Sequence, residues 1–220
     1  MFHRKLSLNL TGFTYSYGSL QVSSFVSQSS EYIVHNAGSA RTTGADMTVA
    51  YEAARGLLLN AAITYDRAQY LSFPDASCYA TQTLAQGCNA EGQQNLSGRP
   101  TLNAPLWSGD VGFNYFLPMG KYTLDLGADS NFSSSYYVIT TENPHSLQGR
   151  NVRLNAHVRL ASGNDRWAVS LIGRNLTNRA VMLNAQDTPL AGQQGNPYSM
   201  MGVLAPPREI SLQVDYRFAP

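Results

Sequence analysis

The residues best suited to catalysis or metal binding are few and scattered in this sequence. The four histidines, His3, His35, His145 and His157, lie far apart along the chain. No Gly-x-Ser-x-Gly turn, His-Glu-x-x-His pair or phosphate-binding glycine-rich loop accompanies them. The sequence therefore predicts no enzyme, no metal site and no cofactor. A hydrolase that uses serine and histidine without these motifs is the alternative.

The two cysteines suggest a structural bond. Cys78 and Cys88 flank a polar segment, and their spacing fits neither a zinc site nor a Cys-x-x-Cys redox pair. A polar loop in an oxidising compartment is stabilised when a disulfide closes it. We therefore expect a loop disulfide between Cys78 and Cys88. The alternative is a pair of free thiols in a reducing cytosol.

Charge and hydropathy exclude two broad classes of protein. Charged residues make up only 13% of the chain and the formal net charge is +1, with no basic run of the kind that binds nucleic acid. No apolar stretch reaches the 18 or so residues that a membrane helix needs. The N-terminal sequence MFHRKLSLNLTGF lacks the apolar block and cleavage site of a secretory signal. Nucleic acid is therefore an unexpected partner, and any membrane contact must come from strands.

A two-residue hydrophobic period runs through most of the chain. In NVRLNAHVRL (151–160) and EISLQVDYRF (209–218), apolar and polar residues alternate almost without exception. This period predicts strands with one apolar and one polar face. It predicts about eight long strands, at residues 4–25, 31–53, 57–73, 101–117, 121–140, 151–162, 166–185 and 204–218.

The connections between these strands fall into two classes. Residues 54–56, 119–121 and 163–165 are tight turns, whereas 74–100, 141–150 and 186–202 are long and polar. In an up-and-down meander the two classes lie at opposite ends, as in outer-membrane barrels. A soluble β-sandwich is the alternative, but it would need shorter strands and more surface charge. The sequence therefore predicts an all-β antiparallel meander that forms part of a transmembrane barrel.

Three segments resemble a known family. IGRNLTNRAVMLNA (172–185) and PPREISLQVDYRF (206–218) resemble the C-terminal end of TonB-dependent outer-membrane receptors, and NAGSARTTGADMTVAY (36–51) resembles an earlier strand of those barrels. The resemblance implies the outer membrane of a Gram-negative bacterium. It also implies energy-coupled uptake of a scarce nutrient, such as a ferric siderophore, cobalamin or a glycan.

The resemblance also implies partners and a size. Family members carry a signal peptide, an energy-coupling box and a plug domain ahead of about 22 strands, whereas this sequence matches only the last third or so of the barrel. Residues 1–220 are therefore expected to be the C-terminal segment of a receptor barrel without plug domain or signal peptide. Outer-membrane lipid, the plug, the TonB energy-coupling complex and a small nutrient are the expected partners. A self-contained eight-stranded barrel with a structural or adhesive role is the alternative.

Particular residues receive roles under this interpretation. Polar residues on strand faces are expected to line the lumen, where they pair for structure or contact solute: Asp125, Asp129, Arg153, His157 and Arg159. Residues of the long loops are expected to contact the ligand: Tyr79, Gln93, Gln94, Gln193, Gln194 and Tyr198. The terminal aromatics Tyr216 and Phe218 are expected to act as the signal for barrel insertion. The first and last strands, 4–25 and 204–218, are expected not to pair with each other, so that the sheet stays open.

Overall fold

Eight long strands form one antiparallel sheet. The computed structural model describes residues 5–26, 31–36, 38–188 and 199–218. The strands are β1 (Leu6–Gly18), β2 (Ser39–Ala54), β3 (Leu57–Ser72), β4 (Trp107–Met119), β5 (Tyr122–Ser133), β6 (Asn151–Ser162), β7 (Trp167–Arg174) and β8 (Glu209–Tyr216). Each strand pairs with the next, which confirms the meander. Among the described residues β1 and β8 do not pair, so the sheet is open, as predicted.

Short and long connections lie at opposite ends of the sheet. Tight turns join β2 to β3, β4 to β5 and β6 to β7 at what we call the turn end. Gly56 and Gly120 occupy two of these turns with φ of 78° and 63°, a conformation that glycine adopts without steric cost. The loop end carries four long connections, loops 1 to 4, at residues 19–38, 73–106, 134–150 and 175–208.

The register separates an apolar face from a polar face across the whole sheet. Leu171 lies opposite Val158 on β6 and Leu212 on β8, whereas the preceding residue, Ser170, lies opposite Arg159 and Gln213. Leu212 is 69% exposed, while Ser170 is only 6% exposed. A surface of this kind, with large apolar side chains in continuous rows, is stable in contact with hydrocarbon rather than with water.

The length of the strands matches a bilayer. The 13-residue strand β4 spans ~43 Å at about 3.3 Å per residue, and a tilt of about 40° reduces its height to roughly 33 Å. Aromatic side chains lie near both ends of the apolar face: Tyr65 contacts Trp107 towards the loop end, with ring centroids 4.9 Å apart. Tyr122 contacts Trp167 at the turn end, at 6.0 Å. These rows fit the interfacial girdles of membrane barrels.

The predicted strand ends are wrong at the loop end. The predicted strands 4–25 and 31–53 each divide in two, because Gln21–Val26 and Glu31–Asn36 form a separate hairpin within loop 1. Ser19 has φ of 55°, and this left-handed residue turns the chain out of the sheet directly after β1. A hairpin strand has the same two-residue period as a barrel strand. Periodicity alone therefore cannot locate the point at which a strand leaves the sheet.

The same error affects the last two predicted strands. Predicted strand 166–185 ends at Arg174, and Met182–Asp187 pairs instead with Met200–Leu204 in a hairpin of loop 4. Predicted strand 204–218 begins in the sheet only at Glu209. Two strands beside the middle loops are also shorter than predicted, since β4 starts at Trp107 and β5 ends at Ser133.

The sequence also suggests a bulge near Gly12, which the structure corrects. The pairing of β1 with β2 continues in one register from Leu6 to Gly18. Phe13 therefore lies on the polar face, opposite Gly44, and its ring fills the space that a side chain at Gly44 would occupy. Phe13 stacks on Tyr15 on the same face. The hydrophobic pattern changes face here because a glycine on the neighbouring strand makes room for a ring.

The Asn-Leu-Thr-Asn segment after β7 fixes the start of β8. Asn175 and Asn178 both adopt left-handed backbone conformations, with φ of 47° and 49°. The Asn175 amide donates to the Pro206 carbonyl at 3.1 Å, and the Asn178 side-chain oxygen accepts the Arg208 N–H at 3.1 Å. Two of the three segments that carry the family resemblance, 172–185 and 206–218, are therefore held directly against each other, at the point where loop 4 returns to the sheet.

Candidate ligand-binding site among the long loops

The four long loops are bound to one another at the loop end. The Tyr32 hydroxyl of loop 1 donates to Gln186 of loop 4 at 2.7 Å. The Thr140 hydroxyl of loop 3 donates to the Ser23 carbonyl of loop 1 at 3.1 Å. The amide of Gln94 in loop 2 donates to the Thr141 carbonyl of loop 3 at 2.8 Å. The loops thus form a single polar layer over the end of the sheet.

Asp187 links three of these loops. Its carboxylate belongs to loop 4, and it accepts the Ala80 N–H of loop 2 at 2.8 Å and the Asn143 amide of loop 3 at 2.7 Å. Asp187 is only 3% exposed. Because a buried carboxylate without donors would be costly, these two hydrogen bonds determine the relative positions of the loops.

An ion pair between the half-exposed Arg99 and the buried Glu142 forms a second connection between loops 2 and 3. Arg99 donates to Glu142 through Nε at 2.7 Å, and its Nη2 lies 2.5 Å from the same carboxylate oxygen. Burial raises the pKa of the Glu142 carboxyl, and the hydrogen bond from Arg99 offsets this only in part. That hydrogen bond in turn raises the pKa of Arg99. The other Glu142 oxygen, Oε1, is buried and has no hydrogen-bond partner among the described residues.

A cavity of about 200 Å³ lies where the four loops meet. Polar side chains dominate its wall, with Leu102, Val138 and Ile139 as the larger apolar members. The remaining lining residues are Ser23, Tyr32, Thr140, Thr141, Asn184, Ala185, Gln186 and Asp187. Its hydroxyl and amide groups can hold a small polar ligand, since placed polar groups of this kind fix the orientation of a bound ligand.

The predicted ligand-binding residues that the structure describes lie outside the lining of this cavity. Gln94 is buried, and its amide donates to the Ser77 and Thr141 carbonyls at 2.9 and 2.8 Å, so it holds the loops together. Gln93 pairs with Asn89 in the same loop. Burial raises the pKa of the Tyr79 hydroxyl. None of the three lines the 200 Å³ cavity. Gln193, Gln194 and Tyr198 lie outside the described residues.

Sequence reasoning missed the residues that line this cavity. Tyr32 and Thr140 fall in segments predicted as strands, and Asp187 and Gln186 fall in a loop for which other residues were chosen. The amphipathic period gives no information about contacts between loops. Residue type could have indicated Tyr32, because a tyrosine carries both a ring and a hydroxyl that can contact a ligand or a neighbouring loop.

Cys78 and Cys88 are joined by a disulfide within loop 2, with a Cα–Cα distance of 5.8 Å. The bond closes a segment that contains the short 3₁₀ turn Leu84–Gln86. It also encloses Ala80, whose N–H reaches Asp187. The disulfide therefore limits the movement of the segment through which loop 2 contacts loop 4.

The predicted lumen residues share the polar face of β5 and β6. Asp125 lies opposite Arg159, Gly127 opposite His157 and Asn131 opposite Arg153 in the register of these two strands. His157 Nε2 lies 3.6 Å from Asp125, and Arg159 lies 3.9 Å from Asp165. Asp129 accepts the Asn155 amide at 2.7 Å. Most of this set therefore has polar partners within the sheet.

The two terminal aromatics contact each other. Tyr216 lies opposite Trp167 on the apolar face, and its ring meets Phe218 edge-on at 4.9 Å. Phe218 is 86% exposed.

In the described part of the chain, no group of three or more His, Cys, Asp or Glu residues is placed to hold a metal ion. Among the same residues, no helix is long and apolar enough to cross a membrane.

An open meander with an apolar outer face, short turns at one end and packed long loops at the other defines a wall of a transmembrane β-barrel. Residues 1–176 match the family described as TonB dependent receptor-like, beta-barrel, and the chain belongs to this family. Its members are transport receptors of the Gram-negative outer membrane rather than enzymes. Curated protein sequences give no match.

Solved structures of such receptors share the fold. The ferric yersiniabactin uptake receptor FyuA from Yersinia pestis is 14% identical, with a TM-score of 0.69, and the match covers 98% of this chain and 28% of that one. The siderophore receptor PiuA from Acinetobacter baumannii is 16% identical, with a TM-score of 0.68 and coverage of 98% and 26%. The FrpB iron transporter from Neisseria meningitidis is 11% identical, with a TM-score of 0.58 and coverage of 98% and 29%. The chain thus spans less than a third of the length of each.

Proposed function

We propose that this chain forms one portion of the barrel wall, with its ligand-binding loops, of a TonB-dependent receptor that imports a scarce nutrient. The packed layer formed by the four loops is the observation that carries the proposal. A barrel wall needs only short connections, whereas these loops form a buried polar network and a cavity at the loop end.

The open sheet favours a wider barrel over the self-contained alternative. Strands β1 and β8 each have one partner among the described residues. Unpaired backbone groups are costly in lipid, so both edges require further strands. We therefore propose that residues 1–220 are the C-terminal segment of a larger barrel, in which the polar face borders the lumen. A plug domain and the TonB complex would then be the partners.

The family resemblance and the similar structures define a range of nutrients. The similar receptors include a ferric citrate transporter and a copper transporter as well as siderophore receptors. Uptake of radiolabelled ferric citrate, ferric siderophores, copper and cobalamin by cells that produce the full-length receptor containing this chain tests the proposal. Uptake should fall when the loop 4 hairpin is deleted, and it should disappear in a strain without TonB. Uptake that is unchanged in both strains would contradict the proposal.

A further inference from the structure

Arg153 lines a cavity at the loop end of the polar face. This cavity has a volume of about 320 Å³ and lies below loops 2, 3 and 4. Its polar lining residues are Arg153, Asn103, Asn131, Ser133, Tyr136 and Asn151, and no carboxylate belongs to the lining. The wall therefore has one cation surrounded by neutral hydrogen-bonding groups.

The charge of Arg153 has no partner in the described part of the chain. Its Nε is buried and makes no hydrogen bond to any described residue. Arg99, Arg159 and Arg174 differ, since each has a carboxylate oxygen within 4.0 Å. A buried donor of a charged group without an acceptor is costly, and such groups normally have a partner.

The carboxylate of Asp129, on the neighbouring strand β5 of the same face, already has amide partners. Asp129 accepts the side-chain amide of Asn155 at 2.7 Å, with Asn131 at 3.5 Å. The register places Asn131, rather than an acidic residue, opposite Arg153. Within the described part of the chain, the sheet therefore supplies no acceptor for the guanidinium.

The chemistry of guanidinium defines that group. Its planar N–H donors match two oxygens of a carboxylate or phosphate, and such charge-assisted pairs are stronger than neutral hydrogen bonds. The amides of Asn131 and Asn103 and the hydroxyl of Tyr136 can donate to further oxygens of the same ligand. A neutral ligand would leave the charge unpaired.

We propose that this cavity is an anion subsite in which Arg153 binds a carboxylate or a similar oxyanion of the imported molecule. The assignment rests on the proposed uptake function and narrows it to ligands that carry exposed acidic groups. Arg153 then selects among ligands, while the loop layer encloses them.

Calorimetry on the purified, detergent-solubilised full-length receptor that contains this chain tests this assignment, with citrate and inorganic phosphate as probes and maltotriose as a neutral comparison. Citrate or phosphate should bind, and Arg153→Gln should weaken that binding by about tenfold or more. Arg153→Lys should restore only part of it, because lysine keeps the charge but lacks the planar pair of donors. Preference for citrate over phosphate would identify a carboxylate ligand, and the reverse would identify a phosphate. Both results support the subsite.

Arg159→Gln is the matched control, since Arg159 lies on the same strand and face but is paired with Asp165. Its binding should equal that of the parent protein. In protein labelled with ¹⁵N-arginine, the Nε–H signal of Arg153 should move on addition of the anion and that of Arg159 should not. Failure of both anions to bind, or equal binding by Arg153→Gln, would overturn the subsite. TonB-dependent uptake is measured separately, so the absence of any TonB-dependent uptake by cells that produce the full-length receptor would reject the proposed function without affecting the binding result.

Discussion

The Asp187 carboxylate accepts a 2.7 Å hydrogen bond from the side-chain amide of Asn143, and this contact joins loops 4 and 3 through two residues that are 44 positions apart in sequence. The other carboxylate oxygen accepts the Ala80 N–H. Because both neighbours donate, an asparagine at this position would place its own N–H₂ group against a donor. Asp187→Asn should therefore destabilise the loop layer by about 1–3 kcal/mol.

Hydrogen exchange measures this effect. Amides of loops 2 and 3 should exchange faster in Asp187→Asn, while those of the sheet should be unchanged. Asp165→Asn is the control, because that side chain is 62% exposed at the turn end. Equal exchange in the parent protein and Asp187→Asn would show that the two hydrogen bonds do not hold the loops.

Burial of Glu142 predicts a dependence of loop stability on pH. Burial raises the pKa of this carboxyl above its ordinary value of 4.5, despite the Arg99 hydrogen bond. The folded loops then bind the proton more tightly than the unfolded loops do, so this contribution is complete below about pH 4.5 and is lost as pH rises through the folded-state pKa. The parent protein should therefore lose stability relative to Glu142→Gln as pH rises.

Thermal unfolding of both proteins between about pH 4 and pH 8 measures this difference. The exposed Glu91 supplies the control, since Glu91→Gln should leave the pH profile of the parent protein unchanged. An increase in the relative stability of the parent protein with rising pH would mean that Arg99 outweighs burial.

The apolar face should be intolerant of charge. Leu212 lies mid-strand on this face, and Leu212→Arg should impair assembly into the membrane by about 2–4 kcal/mol. Its neighbour Gln213 lies on the polar face and contacts Asp215 at 3.0 Å, so Gln213→Arg should have a small effect. The folded fraction in isolated outer membranes measures both. Similar losses in the two variants would reverse the assignment of the faces.

Gly127 should resist substitution because His157 covers it. A Cβ at this position would overlap the His157 ring and lie 2.8 Å from Asn114 Oδ1. Gly127→Ala should cost about 1–3 kcal/mol, and His157→Ala in the same chain should recover part of that loss. Gly12→Ala is the control, since no atom lies within 4 Å of the added carbon. Denaturant unfolding of the unmutated protein, of Gly127→Ala, of His157→Ala and of the double variant gives the coupling, and strict additivity would disprove the contact.

Reduction of the Cys78–Cys88 bond should loosen only loop 2. The closed loop is short, so its disulfide should contribute about 2–3 kcal/mol to local stability. Limited proteolysis after reduction should cut between residues 78 and 95 and leave the sheet intact, and the Cys78→Ser, Cys88→Ser double variant should give the same fragments without reductant. Loss of the sheet on reduction would assign the bond a global role.

The sequence by itself determined the meander and its two faces. Alternation in segments such as NVRLNAHVRL is a local property, because each side chain points away from its neighbours whatever the partner strand is. Turn lengths likewise set which end of the sheet carries the loops. The family resemblance in GRNLTN and PPRE depended on two local segments, although their direct contact through Asn175 and Pro206 did not follow from either.

Only the tertiary structure decided where strands leave the sheet and which side chains meet. Gln21–Val26 has the period of a barrel strand, yet it pairs with Glu31–Asn36 outside the sheet, because the left-handed turn at Ser19 redirects the chain. The joining of loops by Asp187 and the unpaired guanidinium of Arg153 depend on residues that are distant in sequence. Such contacts follow from register and loop packing, which a one-dimensional pattern does not contain.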